Sequence, residues 1–414
     1  MNVFEPDSPP VATELRDIDF AKARYSRAEP APLAADSPVQ ALTEAARPPH
    51  PLRRPLRFLG WLIQSTFGIV TLIVLISVLA AIPIVNFLAL GYLLEVEGSV
   101  ARTGRFRRAF PLIEFAPRIG SMVLGVGLWL LPVRFFAGMA GDAHLISPGS
   151  FGDRALHLVT VILAGLVATH LCLALGRGGS FGCFFRPIKN VRWFLAQLRA
   201  GSYWDTADRG IQDFLAGLRL KHHFWLGLRG FAGAFLWLVI PTTLFAVAKD
   251  NQGPAILVTL VGGAMLVIVL SWLPFLQARF AAENRWGAMF ELRAIRELNR
   301  KAPLSFWLAT VVTFALALPP YLGTPVLPPR DALWMVTILF VVANYPGRVL
   351  VGWAYYQAVA RPRRAWFGLR WLSNLTVLPL LAIFVFLLFF TQFIGSHGKL
   401  VLFEHHALLL PAPF

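Results

Sequence analysis

Long apolar blocks alternate with short basic junctions along most of this chain. About 20 consecutive apolar residues are enough for a helix to cross a bilayer. The blocks are Phe58–Leu94, Ser121–Ala140, Ala155–Leu175, Trp225–Ala248, Pro254–Phe275, Leu304–Leu318, Ala332–Ala360 and Trp371–Ile394. This pattern predicts an all-α fold, a polytopic helical membrane protein.

The first block is too long for a single crossing. Pro83 and Asn86 interrupt it, and arginines flank it on both sides. Arginine at both ends favours placing both ends on the cytoplasmic side. We therefore expect a hairpin that turns near Ala80–Pro83 and returns to about Val100, which brings the chain to about nine crossings.

The distribution of cations predicts the orientation. With residues 47–57 included, the junctions assigned to the cytoplasm hold 27 lysines and arginines, whereas the outer loops and the C-terminal tail hold four. An excess of cations on the cytoplasmic side is the positive-inside rule. We expect a protein of the inner membrane with its N-terminus inside and its C-terminus outside.

Composition agrees with a membrane location and argues against nucleic acid as a partner. Hydrophobic residues make up 57% of the chain and charged residues 14%, against about 25% charged residues in soluble domains. The net charge of +16 arises largely from cations placed beside apolar blocks, a placement that suits anionic headgroups. Arginine outnumbers lysine 32 to 6, which suggests a bacterial, GC-rich source.

Three regions follow from the pattern. Residues 1–57 contain ten of the thirty prolines and no apolar periodicity, so we expect a disordered cytoplasmic tail. Residues 58–394 form the helical membrane domain, and residues 395–414 form a short C-terminal tail.

Two amphipathic helices are predicted in the basic interval 177–224. Apolar residues recur there at helical spacing, at Val191, Phe194, Leu195 and Leu198 and again at Ile211, Phe214, Leu215 and Leu218. Such helices can lie in the cytoplasmic membrane interface or pack on neighbouring protein, and the spacing fits both. Asp205 is a candidate N-cap of the second helix.

A basic junction at 276–303 has a weaker copy 180 positions earlier, which indicates a weak internal repeat. In both copies an arginine is followed by an aromatic residue, and a phenylalanine stands four positions after that aromatic residue: Arg105, Phe106 and Phe110, then Arg285, Trp286 and Phe290. We expect these residues to be interfacial anchors, with rings inward and guanidinium groups toward phosphate. A specific lipid-binding site is the alternative.

These junctions resemble an uncharacterised family of bacterial and archaeal polytopic membrane proteins, a domain of unknown function. The similar residues are Gly91–Leu94, which end an apolar block, then 104–110, and in the second copy 278–281 and 284–290. The resemblance would span about 58–394. It implies a helical membrane fold and no established activity.

Polar residues inside apolar blocks are candidates for function. Asn344, Tyr345–Gly347 and Arg348 form the main polar locus, and Asn86 is its counterpart in the first block. We expect breaks at both places, and broken helices often line transporter sites. The interpretation favoured over a binding site is a kink, with Arg348 reaching the inner interface. Glu95 and Glu97 are expected among headgroups.

No motif for catalysis, cofactor binding or metal binding stands in a fitting context in the sequence. There is no Walker loop, H-E-x-x-H or C-x-x-C, and the G-x-S-x-G spacing at 178–182 lies in a glycine-rich stretch that follows a membrane span instead of a strand. The pairs His222-His223 and His405-His406 lack ligand spacing. We expect both pairs to be solvated or interfacial. No cofactor is predicted.

The sequence therefore favours a multi-pass membrane protein with a non-enzymatic role, such as lipid or envelope organisation or a membrane scaffold. The alternative is a transporter or channel that uses the broken helices near Asn86 and Asn344–Arg348. Membrane lipids with anionic headgroups are the expected partners, and protein partners stay open.

Overall fold

The structure, a computed structural model, describes residues 54–247, 253–323, 333–394 and 398–411. Its helices are α1 Pro55–Ala80, α2 Asn86–Thr103, α3 Ala116–Ile146, α4 Phe151–Gly176, α5 Phe181–Phe184, α6 Pro187–Arg199, α7 Tyr203–Leu218, α8 Leu220–Phe245, α9 Pro254–Glu283, α10 Leu292–Lys301, α11 Pro303–Gly323, α12 Leu333–Ala360 and α13 Phe367–Thr391. Short 3₁₀ helices occur at Phe106–Ala109, Trp286–Phe290 and Gly398–Phe403. No strand occurs among these residues.

The predicted all-α membrane fold is confirmed. Eight of the described helical stretches are long and apolar enough to cross a bilayer, namely α1, α3, α4, α7–α8, α9, α11, α12 and α13. With α2 as a further passage through the bundle, the count agrees with about nine crossings. The predicted disordered tail falls almost entirely on residues 1–53, outside the described part of the chain, and α1 already begins at Pro55.

The predicted hairpin in the first block is present. Helix α1 ends at Ala80 and α2 begins at Asn86, with Ile84 between them at φ 70°. A β-branched residue rarely adopts a left-handed conformation, so the turn is locally strained and depends on the helices on either side. The chain reverses here because Pro83 cannot continue the hydrogen-bond ladder of α1.

Helix α2 lies at the centre of the bundle. Thirteen of its 18 residues are buried, against five of 31 in α3, and it contacts α1, α8, α9 and α12. Glycines allow this crowding. A Cβ atom at Gly91 or Gly227 would overlap the backbone of the facing helix, so the axes of α2 and α8 approach closely. Small residues at crossings permit such close packing of membrane helices.

Two local expectations are wrong. Helix α12 is continuous through Pro346, so the break expected at Tyr345–Gly347 is absent. The facing helix supports it there, because a Cβ atom at Gly347 would meet Thr313 of α11. The expected cap of α7 is also absent: Ser202 occupies the N-cap position without a side-chain cap bond, and Asp205 lies in the first turn.

We predict that Gly227→Ala destabilises the bundle. The added Cβ would collide with the carbonyl oxygen of Phe87, and overpacking of this kind costs about 1–3 kcal/mol. Thermal unfolding in detergent should therefore show a lowered Tm. Gly138→Ala in α3 is the control, because nothing lies within 4 Å of its added Cβ. Equal Tm values for the two variants would contradict the close α2–α8 contact.

Candidate functional site

The two basic junctions have the same local backbone. Each starts where a helix ends on a left-handed residue, Gly104 at φ 66° after α2 and Asn284 at φ 51° after α9. An extended arginine follows in both, Arg105 at φ −102° and ψ 116° and Arg285 at φ −120° and ψ 116°, and then a 3₁₀ helix. Glycine and asparagine adopt the left-handed conformation at the lowest cost. The sequence repeat is therefore also a structural repeat.

In the first copy, an aromatic side chain of α12 holds the junction. The Tyr345 hydroxyl donates to the carbonyl of Ala109 at 2.6 Å, and the Tyr345 ring stacks on Phe110 at 5.4 Å between centroids. The predicted anchor Phe106 is half exposed and stacks on Trp353. Both rings of the motif thus pack against α12.

In the second copy, an aromatic side chain of α8 does the same. The Trp237 indole N–H donates to the carbonyl of Met289 at 3.0 Å, and the Trp237 ring stacks on Phe290 at 6.3 Å. Met289 is the repeat partner of Ala109, so equivalent carbonyls accept equivalent bonds. Trp286 and Phe290 remain 45% exposed, which leaves ring surface for a membrane interface.

The two predicted anchor arginines differ in their partners. Arg285 is ion-paired with Glu283 and Glu291, and the hydrogen bonds that it donates to these carboxylates, that to Glu291 above all, raise its pKa further. The Arg105 side chain is exposed and has no hydrogen bond or ion pair within the described residues. Arg105 is therefore free to meet a headgroup, whereas Arg285 is engaged by protein.

A buried ionic group lies between α2, α9 and α12. Arg348 donates from Nη1 to Glu97 Oε2 and to Gln277 Oε1, both at 2.8 Å. Arg348 is 4% exposed, and Glu97 and Gln277 are fully buried. Glu97 stands seven residues before Gly104 and Gln277 seven before Asn284. The internal repeat thus presents an acid from one copy and an amide from the other to one arginine.

Glu95, on another face of α2, is held by an arginine and a histidine. It accepts from Arg102 at 2.8 Å and contacts the ring nitrogen of His222 at 3.1 Å. Both Glu95 and Glu97 are buried in the bundle, so their expected place among headgroups is wrong. Sequence reasoning missed this because α2 is shielded by four other helices, which the local pattern does not reveal.

The C-terminal segment, residues 398–411, folds into the bundle and reaches the ionic group. Gln277 donates to the carbonyl of Leu408 at 2.7 Å, and Asn344 donates to that of His406 at 2.9 Å. His405 and His406 are buried, as is His223 of the other pair, so the expectation of a solvated or interfacial position is wrong for these three, whereas His222 is partly exposed. The apolar run Ala407–Leu410 was the available signal.

The three predicted intramembrane polar residues do not all converge. Asn344 donates to the C-terminal segment, and Arg348 donates to Gln277, which lies beside that segment. Asn86 is buried, and its Oδ1 has no hydrogen bond within the described chain. Asn86 and Glu97 are eleven residues apart in α2, which is about 16 Å of helix. Asn86 therefore lies apart from the group.

Two cavities occur away from the ionic group. One, of about 530 Å³, is lined by Phe290–Ala294 and Arg296 beside the second junction. The other, of about 450 Å³, is an apolar groove between α9 and α13 with Phe245 at one end. Among the described residues, no cluster of three or more His, Cys, Asp or Glu has the geometry to hold a metal ion.

Comparisons with protein-family models, curated proteins and solved structures find no match for this chain. The resemblance to an uncharacterised membrane-protein family therefore stays a prediction. What the chain offers chemically is a sealed charge pair, two exposed aromatic junctions and a C-terminal segment bound through its carbonyl oxygens.

We predict that position 277 can supply the counter-charge of Arg348 in place of position 97. Glu97→Gln leaves Arg348 buried without a counter-charge, and loss of one partner of a buried ion pair costs about 3–5 kcal/mol. Adding Gln277→Glu should restore the charge from the repeat-equivalent position and recover part of that stability, because the acid cannot replace the N–H that Gln277 donates to the Leu408 carbonyl. Chemical unfolding of the parent, the single variant and the double variant gives the measurement. A double variant no more stable than Glu97→Gln would contradict the equivalence.

A second prediction separates the two anchor arginines. Arg285→Glu places a third carboxylate beside Glu283 and Glu291, so we expect a lowered Tm both in neutral detergent and in lipid. Arg105→Glu loses no protein partner, so its Tm should fall only in bilayers with anionic lipid, where a nearby cation contributes about 1 kcal/mol. Thermal unfolding of both variants in the two media tests this. A Tm loss for Arg105→Glu in neutral detergent would refute it.

Proposed function

We propose that this protein is a non-enzymatic multi-pass protein of a bacterial inner membrane that organises lipid at the cytoplasmic face. Its binding surface consists of α6, α7 and the two basic junctions, and its ligands are anionic headgroups with their adjoining acyl chains. The N-terminus lies inside and the C-terminal end of α13 outside, as the cation asymmetry favours.

The observation that carries this proposal is the exposed apolar face of α6 and α7. Helix α7 has no buried residue, and Trp204, Ile211 and Leu215 are more than half exposed. Helix α6 likewise exposes four apolar side chains, Ile188, Val191, Leu195 and Leu198. Amphipathic helices with exposed apolar faces of this size bury them at the boundary between headgroups and acyl chains of a membrane.

Charge supports the choice of a membrane over another protein as the cover. Lys189, Arg192 and Arg199 on α6, with Arg209 on α7 and Arg219 between α7 and α8, are exposed beside the apolar faces. A basic polar side beside an apolar stripe is typical of helices at anionic bilayers, and α6 has one. Helix α7 itself carries three exposed aspartates beside its single arginine, so the cations that attract headgroups lie on α6 and at the end of α7. Helix α7 is held to the start of α3 by Phe115 and by Arg118, which lies 5.0 Å from the Phe214 ring centroid. That attachment covers one edge of the apolar face of α7 and leaves the rest of that face exposed.

A transporter is the second candidate. Broken α1–α2 and the buried Arg348 support it, and three buried polar atoms there have no hydrogen bond in the described structure: Glu97 Oε1, Arg348 Nε and Asn344 Oδ1. Two observations weigh against it: α12 is continuous through Pro346, and Asn86 lies apart. A transporter also needs a route to Arg348, and the C-terminal segment occupies the space beside it.

The proposal predicts which face of α7 enters the bilayer. In a background with Cys172 and Cys183 replaced by alanine, single cysteines at 211, 215, 209 and 213 receive an environment-sensitive fluorophore. In vesicles containing phosphatidylglycerol, probes at 211 and 215 should report an apolar environment and quenching by lipid-borne quenchers. Probes at 209 and 213, on the opposite face, should report water.

Neutral vesicles are the control for the headgroup. Without anionic lipid, the probes at 211 and 215 should shift toward water, because the flanking cations lose their attraction. Water-like signals at all four positions would refute the proposal. Apolar signals at 211 and 215 without any quenching by lipid would instead show that another protein covers α7.

A further inference from the structure

The C-terminal segment occupies a cavity formed by four helices. Its partners are on α8, α9, α11 and α12, and most of its apolar side chains join the main hydrophobic cluster of the bundle. It enters at the end opposite the junctions, where Lys399 donates to the carbonyl of Ala246 at 2.7 Å. From there it runs inward to Gln277.

The bundle recognises this segment largely through backbone carbonyls. Tyr321 of α11 donates to the carbonyl of Glu404 at 2.6 Å, and Asn344 and Gln277 donate to those of His406 and Leu408. Three side chains from three helices thus bind alternate residues between 404 and 408 of the segment. Peptide recognition domains likewise gain affinity from main-chain bonds and specificity from side-chain pockets.

Side-chain contacts give this recognition its specificity. His405 Nε2 lies 3.0 Å from the Thr242 hydroxyl. The His406 ring lies between two aromatic rings, with centroids 4.5 Å from Tyr321 and 4.4 Å from Phe340. The cavity therefore fits an apolar peptide with an aromatic or imidazole ring at the position of His406.

The segment is bound as a separate unit. Its described backbone–backbone hydrogen bonds are internal, for example Leu408 N–H to the His405 carbonyl at 2.9 Å. No helix or strand ladder joins it to the bundle within the described chain, and the hydrogen bonds described above between the segment and the helices each use a side chain on one side. Side-chain donors can change partner by rotamer motion without disrupting any helix.

We propose that this cavity is a peptide-binding site and that the C-terminal segment is its resident, exchangeable ligand. A free peptide with the sequence of residues 398–411 can replace the segment once the segment is released. Release uncovers Gln277 and, beside it, the Arg348–Glu97 pair. The proposal stands apart from the lipid-organising function, because it concerns the opposite end of the bundle.

The test uses the full chain, folded before it is cut. A specific protease site is inserted at residues 395–397, the purified protein is cleaved in detergent, and complete cleavage is verified on a gel. A fluorescent peptide of residues 398–411 is then added, and its anisotropy is followed. We expect saturable binding to cleaved protein that unlabelled peptide competes away and a scrambled peptide does not. Uncleaved protein should bind far less.

Two tyrosine variants make the readout specific to the site. Tyr321→Phe removes the hydroxyl that donates to the Glu404 carbonyl and also contacts the backbone of His406, and each lost bond should weaken peptide binding about two- to tenfold. Tyr356→Phe is the control, because Tyr356 packs near Gly104 at the other end, and it should leave binding unchanged.

Three results would overturn the proposal: no exchange below the unfolding temperature, equal binding of the scrambled peptide, or unfolding of the bundle when the segment leaves. Each would mean that residues 398–411 are an integral part of the core. Because none of these readouts involves lipid, they leave the proposed lipid-organising function untouched.

Discussion

The buried pair of Arg348 and Glu97 is the interaction on which the rest of the bundle depends. Transfer of two ions from water into a low-dielectric interior costs several kcal/mol per ion, and only good geometry with further hydrogen bonds offsets this. Both distances at Arg348 are 2.8 Å, so α2, α9 and α12 must stay in register. Glycines on α2 and α12 allow the close helix contacts that these distances require. Gly98 faces the backbone of α9, and Gly352 faces the backbone of α2 at Glu97.

The internal repeat explains how one arginine is satisfied from two sides. The copies share a left-handed helix end, an extended arginine and a carbonyl held by an aromatic donor. Because Glu97 and Gln277 hold the same place in their copies, two acids there would leave excess negative charge in a dry interior. A glutamate with a glutamine matches the single charge of Arg348. The amide also supplies an N–H, which the acid cannot, and that N–H reaches Leu408.

Sequence reasoning recovered the features that local pattern determines. Apolar length predicted the spanning helices, Pro83 placed the first turn, and the spacing of Arg105 and Arg285 revealed the repeat. It failed where neighbours decide the outcome. Glu97 looked interfacial because α2 ends in polar residues, yet four surrounding helices bury it. Pro346 looked like a break, yet α11 supports the helix there. The run Ala407–Leu410 is too short for a spanning helix, so periodicity gave it no role.

Hydrogen bonding of two buried amides also explains the position of the C-terminal segment. Gln277 and Asn344 are buried amides, and a buried donor without a partner costs about 1–3 kcal/mol. The carbonyls of Leu408 and His406 remove that cost without bringing another charge near Arg348. Any molecule that took the place of the segment would need the same feature, neutral acceptors spaced along an apolar body. A peptide backbone meets that requirement, whereas a simple ion does not.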